Sequence, residues 1–157
     1  MTDIIIKVIA HNKKASHDYH IIDRFEAGIA LTGTEVKSVR AGGVNLSDGW
    51  VDVDGFDVFL REAHIAPYRF GNIANHPEKQ PRRLLLKRSE IAKISRTLAQ
   101  KGLTLLPLKL YFKGRWLKLE IGTAKGKKDF DKRASIRERE DNREMQRSLK
   151  KRSSRDS

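Results

Sequence analysis

A basic segment with an aromatic ring close behind it is the first feature of the sequence that could do chemistry. Asn12, Lys13 and Lys14 are consecutive, and Tyr19 follows five residues after Lys14. Lysine side chains contact phosphates, and an exposed aromatic ring stacks on an unpaired base, so this mixture is typical of proteins that bind single-stranded or looped RNA. The segment therefore predicts a nucleic-acid contact rather than a catalytic centre.

Two further basic clusters strengthen that prediction. One surrounds the triple leucine that contains Leu85, and it includes Lys87. The other is formed by Lys125, Lys127 and Lys128 around a glycine, which lets the backbone approach a phosphate closely. Any one cluster is weak support, but three on one small chain favour RNA binding over the other functions.

Residues with the spacing of a catalytic or metal site are hard to find. The chain has no cysteine, no serine-nucleophile motif and no phosphate-binding loop, and His17 and His20 have no third ligand at a metal-like spacing. Glu26 and Glu35 could form an acid pair, although a glutamate in a basic protein more often pairs with an arginine or accepts from a nucleotide edge. We therefore predict no catalytic residue, no metal and no cofactor.

The length, the net charge and the apolar content of the chain limit the kinds of protein it can be. The 157 residues carry a net charge of +13 and are 38% apolar, enough for one packed domain. No apolar run approaches the roughly 18–20 residues needed to cross a bilayer. A field this positive attracts polyanions, of which nucleic acid is the commonest and a membrane surface the second candidate. The chain is expected to be cytoplasmic and not membrane-bound.

The charge is divided between a body and a tail. Residues 125–157 hold +6 of the net charge and few apolar side chains, so this tail is predicted to be disordered alone. Arg139, Arg143 and Arg147 recur every four residues, which predicts a basic stripe if the tail becomes helical against an anionic surface. Residues 11–124 form the predicted barrel domain. Residues 1–10 are an N-terminal extension that either pairs as an edge strand or frays.

The body is predicted to be mostly β-strand. Phe25 to Leu31 alternates between apolar and polar residues, and Gly33 is placed at a bulge or turn that follows this strand. Asp54-Gly55 is predicted to be a two-residue turn that sets Val53 opposite Phe56.

A second hairpin is predicted near the end of the body. With Lys113-Gly114 as the turn, Leu110 would face Leu117 and Lys109 would face Lys118. Two neighbouring ammonium groups favour an anion above them, or they splay apart into solvent. Both alternatives remain open from the sequence.

One helix is predicted between the hairpins, with Ser89 as its N-cap, Ile91 and Ile94 on its buried face, and Gly102 after its end. Short antiparallel strands with few helices suggest a small barrel. The predicted fold class is mainly β: a small antiparallel barrel of the oligonucleotide-binding (OB) type, with flanking helices and a basic, disordered C-terminal tail.

Several motifs in order along the chain resemble those of one known family. They include Asn-Lys-Lys-Ala from residue 12, Gly-Thr-Glu-Val-Lys-Ser from residue 33, Arg-Leu-Leu-Leu from residue 83 and Ala-Lys-Gly-Lys-Lys from residue 124. Together they cover most of the chain after residue 10. On these segments the sequence resembles the small protein B family, the SsrA-binding proteins.

The resemblance implies a fold and a role. Members are OB-type barrels with an unstructured basic tail, and they are not enzymes. They bind the tRNA-like domain of transfer-messenger RNA (tmRNA) and deliver it to stalled ribosomes for trans-translation, which tags the nascent chain for proteolysis. The tail enters the empty mRNA channel of the small subunit beside the rRNA of the decoding centre. The resemblance also implies a monomer that acts with alanyl-tmRNA and elongation factor Tu.

Site residues follow from the clusters and from the resemblance. Thr123, Lys87 and Phe130 stand where the family often has other residues, which puts the details of those contacts in doubt. The predicted RNA-binding residues are Asn12, Lys13, Lys14, Tyr19, Glu26, Glu35, Lys37, Leu85, Lys87, Ala124, Lys125, Lys127 and Lys128. The predicted contacts to the decoding centre and mRNA channel are Phe130, Asp131, Lys132, Arg133, Arg139, Arg143 and Arg147.

Two other functions stay open at this point. A ribosome-associated structural protein or translation factor could hold rRNA without tmRNA, since basic proteins with tails are common there. An RNA-cleaving or RNA-modifying enzyme is the third and least favoured possibility.

Overall fold

The structure is a computed structural model, and it describes residues 4–68, 75–100, 102–127 and 143. The chain divides into two compact units, Met1–Gly126 and Lys127–Ser157. No helix within the described residues is long and apolar enough to span a membrane. The elements are β1 (Ile6–His11), α1 (Lys13–Asp18), β2 (Tyr19–Ile29), α2 (Gly33–Arg40), β3 (Val44–Asn45), β4 (Trp50–Asp54), β5 (Asp57–Arg61), β6 (His64–Ile65), β7 (Arg82–Leu85), α3 (Arg88–Leu98), β8 (Leu103–Lys113) and β9 (Trp116–Gly126).

One large antiparallel sheet builds the first unit. Its strand order is β1-β8-β9-β2-β7-β5-β4, and β3 pairs with β6 in a small second sheet. β4 packs against β8 across the core, so the sheet is curled. The predicted class, mainly β and antiparallel with a few helices, is confirmed. The fully buried apolar residues that fill the curl include Leu60, Ile65, Ile94, Leu105, Leu110, Leu119 and Ile121.

The first predicted hairpin exists, but its predicted register is wrong. Val53 pairs with Val58 rather than lying opposite Phe56, and Asp54 pairs with Asp57. The two turn residues are therefore Gly55 and Phe56. Only Gly55 has a positive φ, of 61°. Glycine at the first of two turn positions is typical of a type II′ turn, whereas the prediction had placed it second.

The second hairpin shows the same error and the same cause. Its turn residues are Gly114 and Arg115, and Gly114 has φ of 61°. Leu110 therefore faces Leu119, and Lys109 faces Glu120 instead of Lys118. The Lys109 Nζ lies 3.8 Å from a carboxylate oxygen of Glu120, so the predicted pair of like charges does not form.

The segment after Gly33 is a helix and not the predicted bulge or turn. Thr32 caps α2 at its N-terminus: its hydroxyl accepts from the Glu35 N–H at 3.4 Å, and the Glu35 carboxylate accepts from the Thr32 N–H at 3.0 Å. This reciprocal capping box is written in the sequence as Thr-x-x-Glu. Val36 and Val39, three residues apart, also fit the helical period.

The remaining elements agree more closely with the sequence. α3 buries Ile91 and Ile94 as predicted, although it begins one residue before Ser89, with Lys87 as N-cap. At the N-terminus the structure decides between the two alternatives: β1 pairs with β8 and forms an edge of the sheet.

Candidate RNA-binding surface

The outer face of the sheet brings three predicted site residues together. Gly28 of β2 is paired with Leu85 of β7 on one side and with Lys118 of β9 on the other. Because alternate residues of a strand share a face, Glu26 stands on the same face two positions away. Gly28 has no side chain, so a cavity of about 490 Å³ opens here, and it is also lined by Lys87 and Glu90. We call it the Leu85 cavity.

The carboxylate of Glu26 is held in this cavity by two donors. The Tyr111 hydroxyl donates to it at 2.5 Å, and the Lys113 Nζ lies 3.4 Å from its other oxygen. The hydrogen bond from Tyr111 lowers the pKa of Glu26, with a smaller contribution from the charge of Lys113. Burial and the same hydrogen bond raise the pKa of Tyr111. Glu26 is thus an ionised acceptor at neutral pH.

The Leu85 cavity combines an apolar surface, a carboxylate acceptor and cations, the kinds of group with which RNA-binding proteins contact an extruded nucleotide. Leu85 is 57% exposed, an uncommon position for a large apolar side chain, and offers a surface on which a base can pack. The Glu26 carboxylate can accept from the N–H groups of a base edge. Lys87 and Lys118 supply cations for the phosphates. Lys118 was not among the predicted site residues; the predicted register had placed it opposite Lys109, whereas in the structure it pairs with Tyr111 of β8 and with Gly28 of β2.

Replacing Tyr111 by phenylalanine is expected to raise the pKa of Glu26, because it removes the main cause of the lowering. An NMR pH titration of the Glu26 side-chain carbon measures this. Tyr19→Phe is the matched control, since Tyr19 lies at the other end of β2. An unchanged Glu26 pKa in Tyr111→Phe would contradict the assigned hydrogen bond.

A second cavity, of about 300 Å³, contains predicted residues from the first cluster. Lys14 and Tyr19 line it, together with Trp50 of β4. Tyr19 packs against the small apolar cluster of Ala15, Leu106, Leu108 and Ala124. The Lys14 Nζ is 3.9 Å from Asp48, and both side chains are mostly exposed. We call it the Tyr19 cavity. Trp50, 42% exposed, adds an aromatic ring that was not among the predicted site residues.

Three predicted RNA-binding residues are buried, and their side chains make contacts within the fold. Asn12 caps α1 by accepting from the Ala15 N–H at 3.1 Å, and it donates to the Pro107 carbonyl at 2.8 Å. Ala124 is fully buried behind Tyr19. Glu35 is buried in an ion pair with Arg82. Ala124 and Glu35 are enclosed by the fold, whereas Asn12 also lines the Tyr19 cavity. Their RNA contacts stay predictions.

Glu35 and Arg82 form a buried polar centre beneath the surface. Both side chains are 1% exposed. Arg82 also donates to the carbonyls of Ala63 at 2.8 Å and Glu78 at 3.0 Å. Burial opposes ionisation of Glu35, but the hydrogen bonds from Thr32 and Arg82 hold its pKa below the ordinary value. The pair fixes α2 to β7.

The other predicted cations of the body are distributed around its surface. Lys13 and Lys125 are exposed, and Lys125 pairs in the sheet with His20, next to Tyr19. Lys37 is exposed on α2, with its Nζ 5.4 Å from the centroid of the Tyr68 ring. Lys127 is half-buried. Lys13, Lys14 and Lys125 therefore belong to the Tyr19 end of β2, whereas Lys37 stands apart on α2.

Most predicted contacts in the tail fall outside the described residues. Arg143 is described and exposed. Those not described are Lys128, Phe130, Asp131, Lys132, Arg133, Arg139 and Arg147. Their roles stay predictions.

Comparison with known proteins agrees with the resemblance. The family model described as SmpB protein matches residues 9–151. The SsrA-binding protein of Carboxydothermus hydrogenoformans is 51% identical over 146 residues, which are 93% of this chain and 98% of that protein. The SsrA-binding protein of Streptococcus mutans is 52% identical over 143 residues, 91% of this chain and 92% of that protein.

A solved structure gives the same result at the level of the fold. A chain from the structure described as "tmRNA-SmpB: a journey to the center of the bacterial ribosome" superposes with a TM-score of 0.62 at 38% identity, covering 87% of this chain and 96% of that chain. The motifs, the curled antiparallel sheet and the matches over most of the length lead to one conclusion: the chain belongs to the SmpB family of SsrA-binding proteins.

Proposed function

We propose that the protein binds the tRNA-like domain of tmRNA and delivers it to stalled ribosomes for trans-translation. It acts as an RNA-binding adaptor and not as an enzyme. The observation that carries the proposal is the Leu85 cavity, where Glu26, Leu85 and Lys87 meet on an exposed face of a family member. Its working place is the cytoplasm, on the ribosome.

The two cavities together favour a folded RNA as ligand. Tyr19 and Glu26 are seven residues apart on β2, which corresponds to roughly 23 Å along the strand. Tyr19 pairs with Gly126 of β9 and Glu26 pairs with Glu120, six residues apart on that strand, so both side chains lie on the same face of the sheet. A ligand that contacts both places must present bases or phosphates about 23 Å apart. A compact RNA such as a tRNA-like domain presents loops and phosphates at this separation.

Different residues contact the phosphates and the bases of the RNA. Lys13, Lys14 and Lys125 hold phosphates at the Tyr19 end and fix the orientation of the RNA. Tyr19 and Trp50 offer rings for an exposed base. At the other end Leu85 and Glu26 contact a second base.

The tail completes the proposed mechanism after the RNA has been bound. Residues 128–157 enter the empty mRNA channel and become helical there, with the stripe of Arg139, Arg143 and Arg147 against small-subunit rRNA. Alanyl-tmRNA arrives with elongation factor Tu. The body binds the RNA, and the tail binds in the mRNA channel only when the channel holds no message.

Replacing Lys118 by glutamate is expected to weaken binding of the tRNA-like domain by about tenfold or more, since it removes a phosphate contact and repels the next phosphate. The slope of log K against log salt should fall by about one. Filter binding over a series of salt concentrations measures both quantities. Lys93→Glu on α3 is the matched control, because Lys93 is exposed and does not line either cavity.

The same filter-binding assay shows whether the protein prefers tmRNA or rRNA as its partner. The wild-type chain should prefer the tRNA-like domain over an rRNA fragment of equal length, and Lys118→Glu should reduce that preference. Equal affinity for both RNAs would support a ribosome-associated rRNA-binding protein and contradict the proposal.

A further inference from the structure

The N-terminal edge of the sheet exposes an unusual amount of apolar surface. Ile4 is 62% exposed, Ile5 78%, Ile6 55% and Val8 50%. β1 is paired with β8 on one side, and no strand among the described residues pairs with its other side. Edge strands of natural proteins are usually short, charged or covered, because unpaired N–H and C=O groups accept another strand. Here Lys7 alone interrupts the aliphatic run.

A groove lies beside this edge and continues the apolar surface. Its floor is formed by Ile5 and Ile9 with Phe112 of β8, and its volume is about 480 Å³. Ile9 and Phe112 also pack against the main core. The N–H of Gly114 donates to the Ile5 carbonyl at 2.9 Å, so the turn between β8 and β9 holds Ile5 in place. We call this feature the β1 groove.

The charges around the β1 groove have one sign. Lys7, Arg40 and Arg115 line it, and none of the described residues that line it carries a carboxylate. The guanidinium of Arg40 lies 5.7 Å from the centroid of the Phe112 ring. An occupant must therefore combine apolar groups for the floor with negative charges for the rim.

We propose that the β1 groove binds an acidic, extended polypeptide segment of a partner protein, which adds to the sheet as a strand beside β1. Backbone hydrogen bonds to the open edge supply part of the affinity. Apolar side chains of the segment cover the aliphatic residues of β1, and its carboxylates face Lys7, Arg40 and Arg115.

Two other occupants fit the observations less well. A second copy of this chain carries the same net charge of +13, so like charges oppose its approach. An RNA strand satisfies the cations but cannot form a ladder with the strand edge, and it leaves the isoleucines on the other face of β1 in water. An acidic polypeptide pairs with the three cations, forms backbone hydrogen bonds with the open edge of β1, and covers the aliphatic side chains on both faces of that strand.

Fluorescence anisotropy with the full chain tests the proposal. The probe is a labelled peptide of about ten residues, enough for one strand, in which valine and glutamate alternate. We expect saturable binding together with slower hydrogen exchange at the β1 amides. Ile5→Glu should weaken binding at least about tenfold by placing a carboxylate in the groove. Arg115→Glu should weaken it likewise, so that a folding defect of one variant cannot decide the result.

The controls decide between the occupants. Ile22→Glu introduces the same charge at an isoleucine that is 53% exposed on β2, away from the groove, and should bind the peptide like wild type. All groove variants should bind the tRNA-like domain normally, which separates this proposal from the proposed function. Absence of peptide binding, equal binding of a valine–lysine peptide, protection of β1 by oligouridylate, or protection that grows with protein concentration alone would each overturn the proposal.

Discussion

Replacing Glu35 by glutamine is expected to lower the free energy of unfolding by about 3–5 kcal/mol, because it leaves the buried guanidinium of Arg82 without its counter-charge. Burial without a partner is costly for an ion, and the two side chains have almost no contact with water. Urea denaturation monitored by circular dichroism measures the loss.

The control for this prediction is Glu78→Gln. The Glu78 side chain is 53% exposed and contacts His64 at 3.1 Å, so its change should cost at most about 1 kcal/mol. Below the midpoint of unfolding, folded Glu35→Gln should bind RNA as the wild type does, since Glu35 does not reach the surface. Similar stability of the two variants would contradict the buried-pair interpretation, and weaker RNA binding by folded Glu35→Gln would restore a direct role.

The pH dependence of this stabilisation has a definite sign. The folded-state pKa of Glu35 lies below its ordinary value of 4.5. The ionised group therefore contributes its full stabilisation above about pH 4.5, and this contribution is lost as the pH falls through the folded-state pKa. The difference in stability between wild type and Glu35→Gln should accordingly narrow in acid.

Deleting everything after Lys128 is expected to abolish peptide tagging on stalled ribosomes and to change the affinity for the tRNA-like domain by no more than about threefold at physiological salt. The proposed RNA contacts lie in the body, whereas the proposed sensor of the empty channel lies in the tail. In vitro translation of a message without a stop codon measures tagging, and filter binding measures the affinity.

Two tail variants at the same three positions, one that keeps the positive charges and one that reverses them, test whether the charge of the stripe is what tagging requires. Changing Arg139, Arg143 and Arg147 to lysine keeps the basic stripe, and tagging should survive in part. Changing the same three residues to glutamate reverses the stripe and should abolish tagging. If the truncated body lost its RNA affinity instead, the division of tasks between body and tail would be wrong.

The general architecture could be predicted from the sequence because alternation and glycine positions are local signals. Period-two patterns identified the second half of β2 and the strands of the two hairpins, and both hairpins lie where glycines indicated them. Their registers could not be predicted as easily: a glycine in a two-residue turn can occupy either position, and the choice changes every pairing that follows. Lys109 was thereby placed opposite Lys118 and not opposite Glu120.

Burial was the other information that the sequence did not supply. Glu35 has the same residue type as Glu26, yet one is buried under Arg82 and the other lies on the outer face. The capping box at Thr32 could have identified α2 and shown that Glu35 serves the helix. Asn12 likewise had the residue type of a helix N-cap. Leu85 became a candidate through the resemblance, whereas Trp50 and Lys118 became candidates only from the folded sheet.

Site-specific photo-crosslinking from position 85 tests whether the Leu85 cavity contacts the tRNA-like domain. A photoreactive phenylalanine analogue replaces Leu85 in the full chain, and the same analogue at Lys93 is the control. At near-physiological ionic strength we expect crosslinks from position 85 to nucleotides of the tRNA-like domain and few crosslinks from position 93. Crosslinks from position 85 to rRNA alone, or equal yields at both positions, would contradict it.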